Sequence, residues 1–362
     1  MIDYKNPKLV VETGTIEPGS VSWRSPSNIA LIKYWGKYGK QLPRNPSISF
    51  TLDKAYTETT LKYEPKIGAD TGVELDFYFN GALQQQFGEK TRKFLASITE
   101  IYPFLKQLKL SIHTKNSFPH SAGIASSASG MSAIALCLCT LEEQLFERLE
   151  SDDEFRRKAS YLSRLGSGSA CRSIFAKMAV WGESSDVEGS SNLYAVPYVK
   201  EVHETFKTFH DDILIVSKGE KAVSSRAGHA LMEDNIYASN RYQQARKRFH
   251  DLLSALKDGD LEVFGRITEN EALTLHAMMM CANPSYLLMR PNTIKLIELV
   301  RAYRTETQQP LYFSLDAGPN LHLLYPDMIK SEVQTFIQSE LVPFCENGEV
   351  IADITGEGPL QL

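Results

Sequence analysis

The chain has 362 residues, 43% hydrophobic and 23% charged, enough for a substantial core and, by length, for two domains. A net charge of −5 argues against broad nucleic-acid binding, which needs a basic face to displace counterions from phosphates. The opening MIDYKNPKLVVETG has no basic start followed by an apolar run, and the longest apolar stretch, around Met131 to Leu141, is too short for a bilayer of roughly 30 Å. These features predict a cytoplasmic protein with no nucleic-acid and no membrane partner.

Along the chain, VSWRS near residue 21, SISFTL at 47–52, VELDFYFNG at 73–81 and LKLSIHTKN at 108–116 read as strands. Asn80-Gly81 after an aromatic, alternating run is a hairpin signal, and a helix is expected from about Glu89 to Ile101. The run SPSNIALIKYWGKYGK reads as an apolar, aromatic strand. Lys33 and Lys37 within it are costly unless they snorkel or meet an anion, whereas Lys40 reads as solvated. The small-residue stretch SFPHSAGIASSASG then opens onto the apolar helix MSAIALCLCTLEEQLFERL. Such a loop lets backbone N–H groups approach an anion at the positive end of a helix, with Ser126, Ser127 and Ser129 adding hydroxyls. The plain alternative is a tight turn whose small residues permit helix crossing, and the GK[ST] of a Walker A loop is absent.

A helix from Asp153 to Leu165 leads into GSGSACRS at 166–173, read as a second loop. Its Arg172 suits a bidentate grip on a carboxylate or phosphate, or a surface ion pair. The polar stretch 183–193 and the pattern change after it divide the chain into 1–195 and 196–362. The second part contains the strand ILIVSK at 213–218 and long helices between about Asn235 and Arg304. Asp316 in SLDAGPN follows the strand LYFSL, where a turn-forming Asp is the ordinary reading. The five cysteines, Cys137, Cys139, Cys171, Cys281 and Cys345, contain no CxxC pair and are expected to be reduced.

In order and spacing these segments resemble the diphosphomevalonate decarboxylases of the GHMP kinase superfamily. NIALIKYWGK, LPRNPSISFTL, FPHSAGIASSASG, GSGSACRS and SLDAGPN are similar to that family's NIAxxKYWGK, LPxNSSxSxTL, FPTAAGLASSASG, GSGSACRS and TFDAGPN, spanning residues 28 to 320. The resemblance implies an α+β GHMP kinase fold, with a ribosomal-protein-S5-like N-terminal domain and a ferredoxin-like C-terminal domain. ATP and a mevalonate-derived phosphate ester would meet between them. It also implies Mg²⁺ and a homodimer, while no metal ligand is assigned.

The implied reaction is ATP-dependent decarboxylation of 5-diphosphomevalonate through a 3-phosphorylated intermediate. Asp316 would orient or deprotonate the 3-hydroxyl, Arg172 would hold the C1 carboxylate, and Lys33 and Asn28 would sit beside the reacting groups. Tyr34, Lys37, Ser167 and Ser169 would bind the phosphate end, and Gly123, Ser126, Ser127 and Ser129 the ATP phosphates. Several positions depart from the family pattern. Asp76 stands where Arg is usual, Tyr38 where a basic residue is common, Pro46 replaces Ser, and Arg226 and His229 replace Thr and Met. His120 replaces a loop Thr. Arg44 is a candidate to restore positive charge, and Arg226 reads either as a second candidate or, more simply, as a solvated residue at a helix start. These departures leave open a phosphomevalonate decarboxylase, a mevalonate 3-kinase or a catalytically silent binding protein of the same fold.

Overall fold

A computed structural model describes the chain except residues 1–3, 13, 15, 68–71, 120–123, 150 and 220–222 and the side chains of residues 225 and 226. In chain order the first part holds β1 (Gly19–Ala30), β2 (Lys37–Tyr38), β3 (Leu42–Pro43), β4 (Ser47–Pro65), β5 (Glu74–Phe79) and β6 (Ala82–Leu83). It continues through α1 (Gln85–Ser97), β7 (Leu108–Asn116), α2 (Ser126–Phe146), α3 (Asp152–Gly166), β8 (Met178–Trp181) and β9 (Ala195–Pro197). β1, β4, β7, β5 and β6 are successive neighbours in one sheet, and β8 and β9 extend it from β4. Asn80 and Gly81, at φ 50° and 80°, close the β5–β6 hairpin as expected.

The register of β1 on β4 breaks between Pro26, opposite Tyr56, and Asn28, opposite Thr51. Proline cannot donate to the ladder, and such a bulge re-aims the side chains beside it. α2 is apolar almost all round and lies buried on β1 and β4. Its hydroxyls are paired where they meet the sheet: Ser132 with Ser25 and Ser129 with Thr57, both at 2.6 Å. Cys137, Cys139, Cys171 and Cys345 are buried, Cys281 is exposed, and all five are free thiols.

The second part runs β10 (His210–Leu214), α4 (Ser225–Ala230), α5 (Ala238–Asp258), α6 (Leu261–Met280), α7 (Pro291–Thr307), β11 (Tyr312–Leu315), β12 (Leu321–Tyr325), α8 (Lys330–Phe336), β13 (Val350–Ile351) and β14 (Leu360–Gln361). Its antiparallel sheet has the order β11-β12-β10-β13. α6 lies so close on β11 that a Cβ at Gly265 would sit 2.0 Å from the Tyr312 ring. The change of sheet falls between Pro197 and His210, because β9 still pairs with β8. The last strand, β14, returns to pair with β1.

A carboxylate ties the two parts together. Asp353, 1% exposed, accepts the backbone N–H groups of Asp53, Lys54, Ala55 and Ile354 at 2.7–2.8 Å. Burial pushes its pKa from 3.8 up to about 6, against the pull of those donors. Because the folded value is the higher one, this group's contribution to stability is full below about pH 4 and is lost as pH rises through about 6. Asp353→Asn offers those donors a single oxygen and should destabilise the fold by about 2–4 kcal/mol. Denaturant titrations at pH 4 to 7 should also show that the part of the pH slope due to Asp353 disappears.

Candidate active site

Lys33 stands just beyond the end of β1, in irregular backbone after the bend at Leu31 and Ile32 rather than in the expected strand, because the ladder stops at Ala30. Its ammonium is 2% exposed and donates to Ser314 Oγ at 2.9 Å and to Asp316 Oδ1 at 3.2 Å. Burial lowers the Lys33 pKa below 10.5, while Asp316 and Glu271 raise it and Arg172 lowers it further. The Asp316 carboxylate is 23% exposed, so one face of the pair is open to a reactant.

Arg172 lies in a short 3₁₀ helix, Gly168–Ile174, where a loop was expected. Its guanidinium, also 2% exposed, donates to Ser49 Oγ and Ser47 Oγ at 3.0 Å and to Asn28 Oδ1 at 3.3 Å. Ser47 gives its own proton to the Ile32 carbonyl, which leaves a lone pair for the arginine. The Asn28 amide nitrogen turns the other way, to Ser173 Oγ at 2.8 Å and the Ser169 carbonyl at 3.3 Å. All three acceptors are neutral, and no ion pair among the described residues includes Arg172. A buried cation without a counterion is strongly disfavoured, so this arrangement suits an incoming anion.

Tyr34 sits against Gly168 and edge-on to Trp181, with ring centroids 4.6 Å apart. Its hydroxyl is buried without a hydrogen-bond partner among the described residues, a donor left for a ligand. Ser167 Oγ lies 3.3 Å from Ser127 Oγ, so the two Ser-rich segments meet at the start of α2. That helix begins after Ala125 in the left-handed region (φ 45°), with no side-chain cap and no acid in its first turn, which leaves its positive end for an anion. Ser126 and exposed Ser127 are placed for this role. Ser129 is not brought to the mouth, since its hydroxyl is fully buried against Thr57. Gly123 and His120 lie outside the described residues.

Lys37 donates to Gln41 at 2.8 Å and borders a cavity of about 390 Å³ that also reaches Arg44, His229 and Tyr242. The His229 ring lies between Tyr34 and Trp35, and its Nδ1 accepts the Gly36 N–H at 3.0 Å. Burial, aided by the Lys37 charge, lowers its pKa to about 3, so a neutral flat ring fills the methionine position of the family pattern. Asp76 is exposed on β5 opposite Ser111, with β4 and β7 between it and β1, and takes no part in the Lys33–Arg172 cluster. Arg44, exposed and stacked over Tyr38 at 5.1 Å, lines the Lys37 cavity and therefore supplies charge there.

Sequence reasoning missed the support behind the pair. Glu271 of α6 is fully buried and accepts the Lys33 backbone N–H at 2.9 Å, and His276 of the same helix meets the Asp316 carbonyl at 3.0 Å. The only local signal is a Glu on the inner face of a helix.

Residues 25–193 match the diphosphomevalonate decarboxylase-like N-terminal domain, and residues 212–357 match the mevalonate 5-diphosphate decarboxylase C-terminal domain. The chain is 30% identical to the diphosphomevalonate decarboxylase of Ganoderma lucidum over 87% of its own length and 80% of that protein's. Mevalonate diphosphate decarboxylase from Staphylococcus aureus superposes with a TM-score of 0.79 at 28% identity, over 96% of this chain and 98% of that one. A structure described as MDDEF in complex with MVAPP, AMPPCP and magnesium gives the same TM-score at 29% identity, over 96% and 99%.

Proposed function

The chain belongs to the diphosphomevalonate decarboxylase family, and on that premise we propose that it decarboxylates 5-diphosphomevalonate at the expense of ATP, giving isopentenyl diphosphate, ADP, phosphate and CO₂. The observation that carries this reading is the buried Arg172, without a carboxylate of its own, beside the Lys33–Asp316 pair. The substrate's C1 carboxylate is the missing counterion.

Asp316 accepts the proton of the tertiary 3-hydroxyl, whose oxygen bonds to the γ-phosphorus as the bond to ADP breaks. Lys33 offsets the charge gathering on the transferring group. Departure of the 3-phosphate leaves C3 electron-poor. The C1–C2 electrons then form the C2–C3 double bond, and C1, held until then by Arg172, leaves as CO₂. Asn28 keeps Arg172 aimed at that carboxylate.

Tyr34, Lys37, Ser167 and Ser169 hold the phosphate end, with Arg44 adding the second cation that a diphosphate needs. The uncapped start of α2, with Ser126 and Ser127, fits the ATP phosphates. Mg²⁺, when bound, neutralises phosphate charge. The described residues include no cluster of three or more His, Cys, Asp or Glu side chains that could hold a metal ion. No helix among the described residues is long and apolar enough to cross a membrane. We take the enzyme to be cytoplasmic and dimeric, to be checked by fractionation and light scattering.

The test is a coupled assay with ATP and Mg²⁺ against mevalonate, 5-phosphomevalonate and 5-diphosphomevalonate, with ADP and CO₂ followed separately. Equal ADP and CO₂ from the diphosphate, at a kcat/KM at least about tenfold above that for the monophosphate, is the expected result. Preference for the monophosphate would reassign the substrate, ADP without CO₂ would make the protein a kinase, and neither product would make it a binding protein.

A further inference from the structure

We infer that α6 sets the spacing of the Lys33–Asp316 pair, with Glu271 and His276 as positioning residues that anchor the two backbones. For its effect on turnover this rests on the function proposed above. Its structural readout does not.

Lys33 lies beyond the end of β1 and Asp316 directly beyond the end of β11. Neither has a ladder bond to fix it, yet the two side chains must meet across parts of the chain 283 residues apart. α6 supplies what the ladders do not. Glu271 Oε2 accepts the Lys33 N–H at 2.9 Å, and the Asp316 carbonyl accepts from His276 Nε2 at 3.0 Å and from the Gly318 N–H at 2.8 Å. A carbonyl only accepts, so Nε2 of His276 carries the proton.

Both contacts are to backbone and come from one helix, five positions apart, or about 7.5 Å along its axis. Glu271 is itself held rigidly. Arg241 grips it with two nitrogens, at 2.9 and 2.5 Å, and Arg248 adds a third contact at 2.9 Å. Fully buried, it cannot move without abandoning two cations. The turn that carries Asp316 is braced separately, by Thr293 donating to the Pro319 carbonyl at 2.7 Å. Shifting either anchor would open the 3.2 Å contact between the ammonium and the carboxylate, and small misplacements of reacting groups are amplified in rate.

The experiment compares wild type with His276→Ala, His276→Gln and Glu271→Gln. Each is assayed for kcat and KM and for the pH midpoint at which Lys33 becomes reactive to acetic anhydride, read by mass spectrometry. Asp316 and Glu271 both raise the Lys33 pKa. Among the described contacts His276 reaches Lys33 through Asp316, so a lower midpoint in His276→Ala reports displacement of Asp316. The expected result is a kcat at least about tenfold lower in His276→Ala, KM for ATP within about threefold, and a lower midpoint. His276→Gln, whose amide can still donate, should restore both. Glu271→Gln, which removes a charge that itself raises the Lys33 pKa and loosens the grip of Arg241 and Arg248, is read by kcat, expected at least about tenfold lower with KM for ATP within about threefold.

An unchanged midpoint and kcat in His276→Ala would overturn the inference, as would a loss that follows the folded fraction or one that His276→Gln fails to restore. If the wild-type chain turned over none of the substrates, the function proposed above would fall. The labelling midpoints would still decide the role of α6.

Discussion

Asp316→Asn should lower turnover by at least about a hundredfold while leaving ATP affinity within about threefold of wild type. The amide matches the carboxylate in shape but cannot take the hydroxyl proton, and it removes the only carboxylate paired with the Lys33 ammonium among the described ion pairs. Stability should respond less than the loss of a buried ion pair suggests. Breaking such a pair costs about 3–5 kcal/mol when the orphaned charge must remain. Here burial already lowers the Lys33 pKa, so the lysine can shed its proton. A loss of only about 1–2 kcal/mol is expected, with a Lys33 labelling midpoint lower than in any α6 variant. Isothermal titration with an ATP analogue and single-turnover CO₂ release separate binding from chemistry. Turnover near wild type would remove Asp316 from the reaction.

What could be read from the sequence follows from how local each feature is. β7 begins and ends where the alternation of LKLSIHTKN does, and α3 exceeds the expected Asp153–Leu165 by one residue at each end, whereas α2 starts at Ser126, five residues inside the expected small-residue loop. Their signals span only a few neighbours. The Lys33 segment was misread as strand because its apolar residues follow β1 without a break, although the pairing ends at Ala30. Ser129 was grouped with Ser126 and Ser127 by composition, but helical rotation turns it onto Thr57. Glu271 was invisible because its partner Lys33 is 238 residues away, and nothing near either residue records the other. The short β14 gave no periodic signal, so its return to β1 could not be foreseen.

Arg172→Ala should reduce kcat/KM for the acidic substrate by about a thousandfold, the scale expected when a desolvated charge-assisted contact of about 4 kcal/mol is lost. The fold should survive. Removing the guanidinium strips an acceptor role from Ser47, Ser49 and Asn28, but Ser47 keeps its bond to the Ile32 carbonyl and Asn28 its bonds to Ser173 and Ser169. Loss of an unpaired buried cation offsets the cavity left behind, so the change in stability should stay within about 2 kcal/mol. Arg172→Lys is the sharper control. The arginine spreads three nitrogens over three acceptors on β1 and β4, whereas an ammonium concentrates its charge at one point, so lysine should recover charge but not aim. A rise in KM with kcat partly restored is therefore expected for Lys, and a rise in KM together with a fall in kcat for Ala. If Arg172→Ala unfolds the protein while Arg172→Lys is fully active, the guanidinium is a strut between strands and the carboxylate must be held elsewhere.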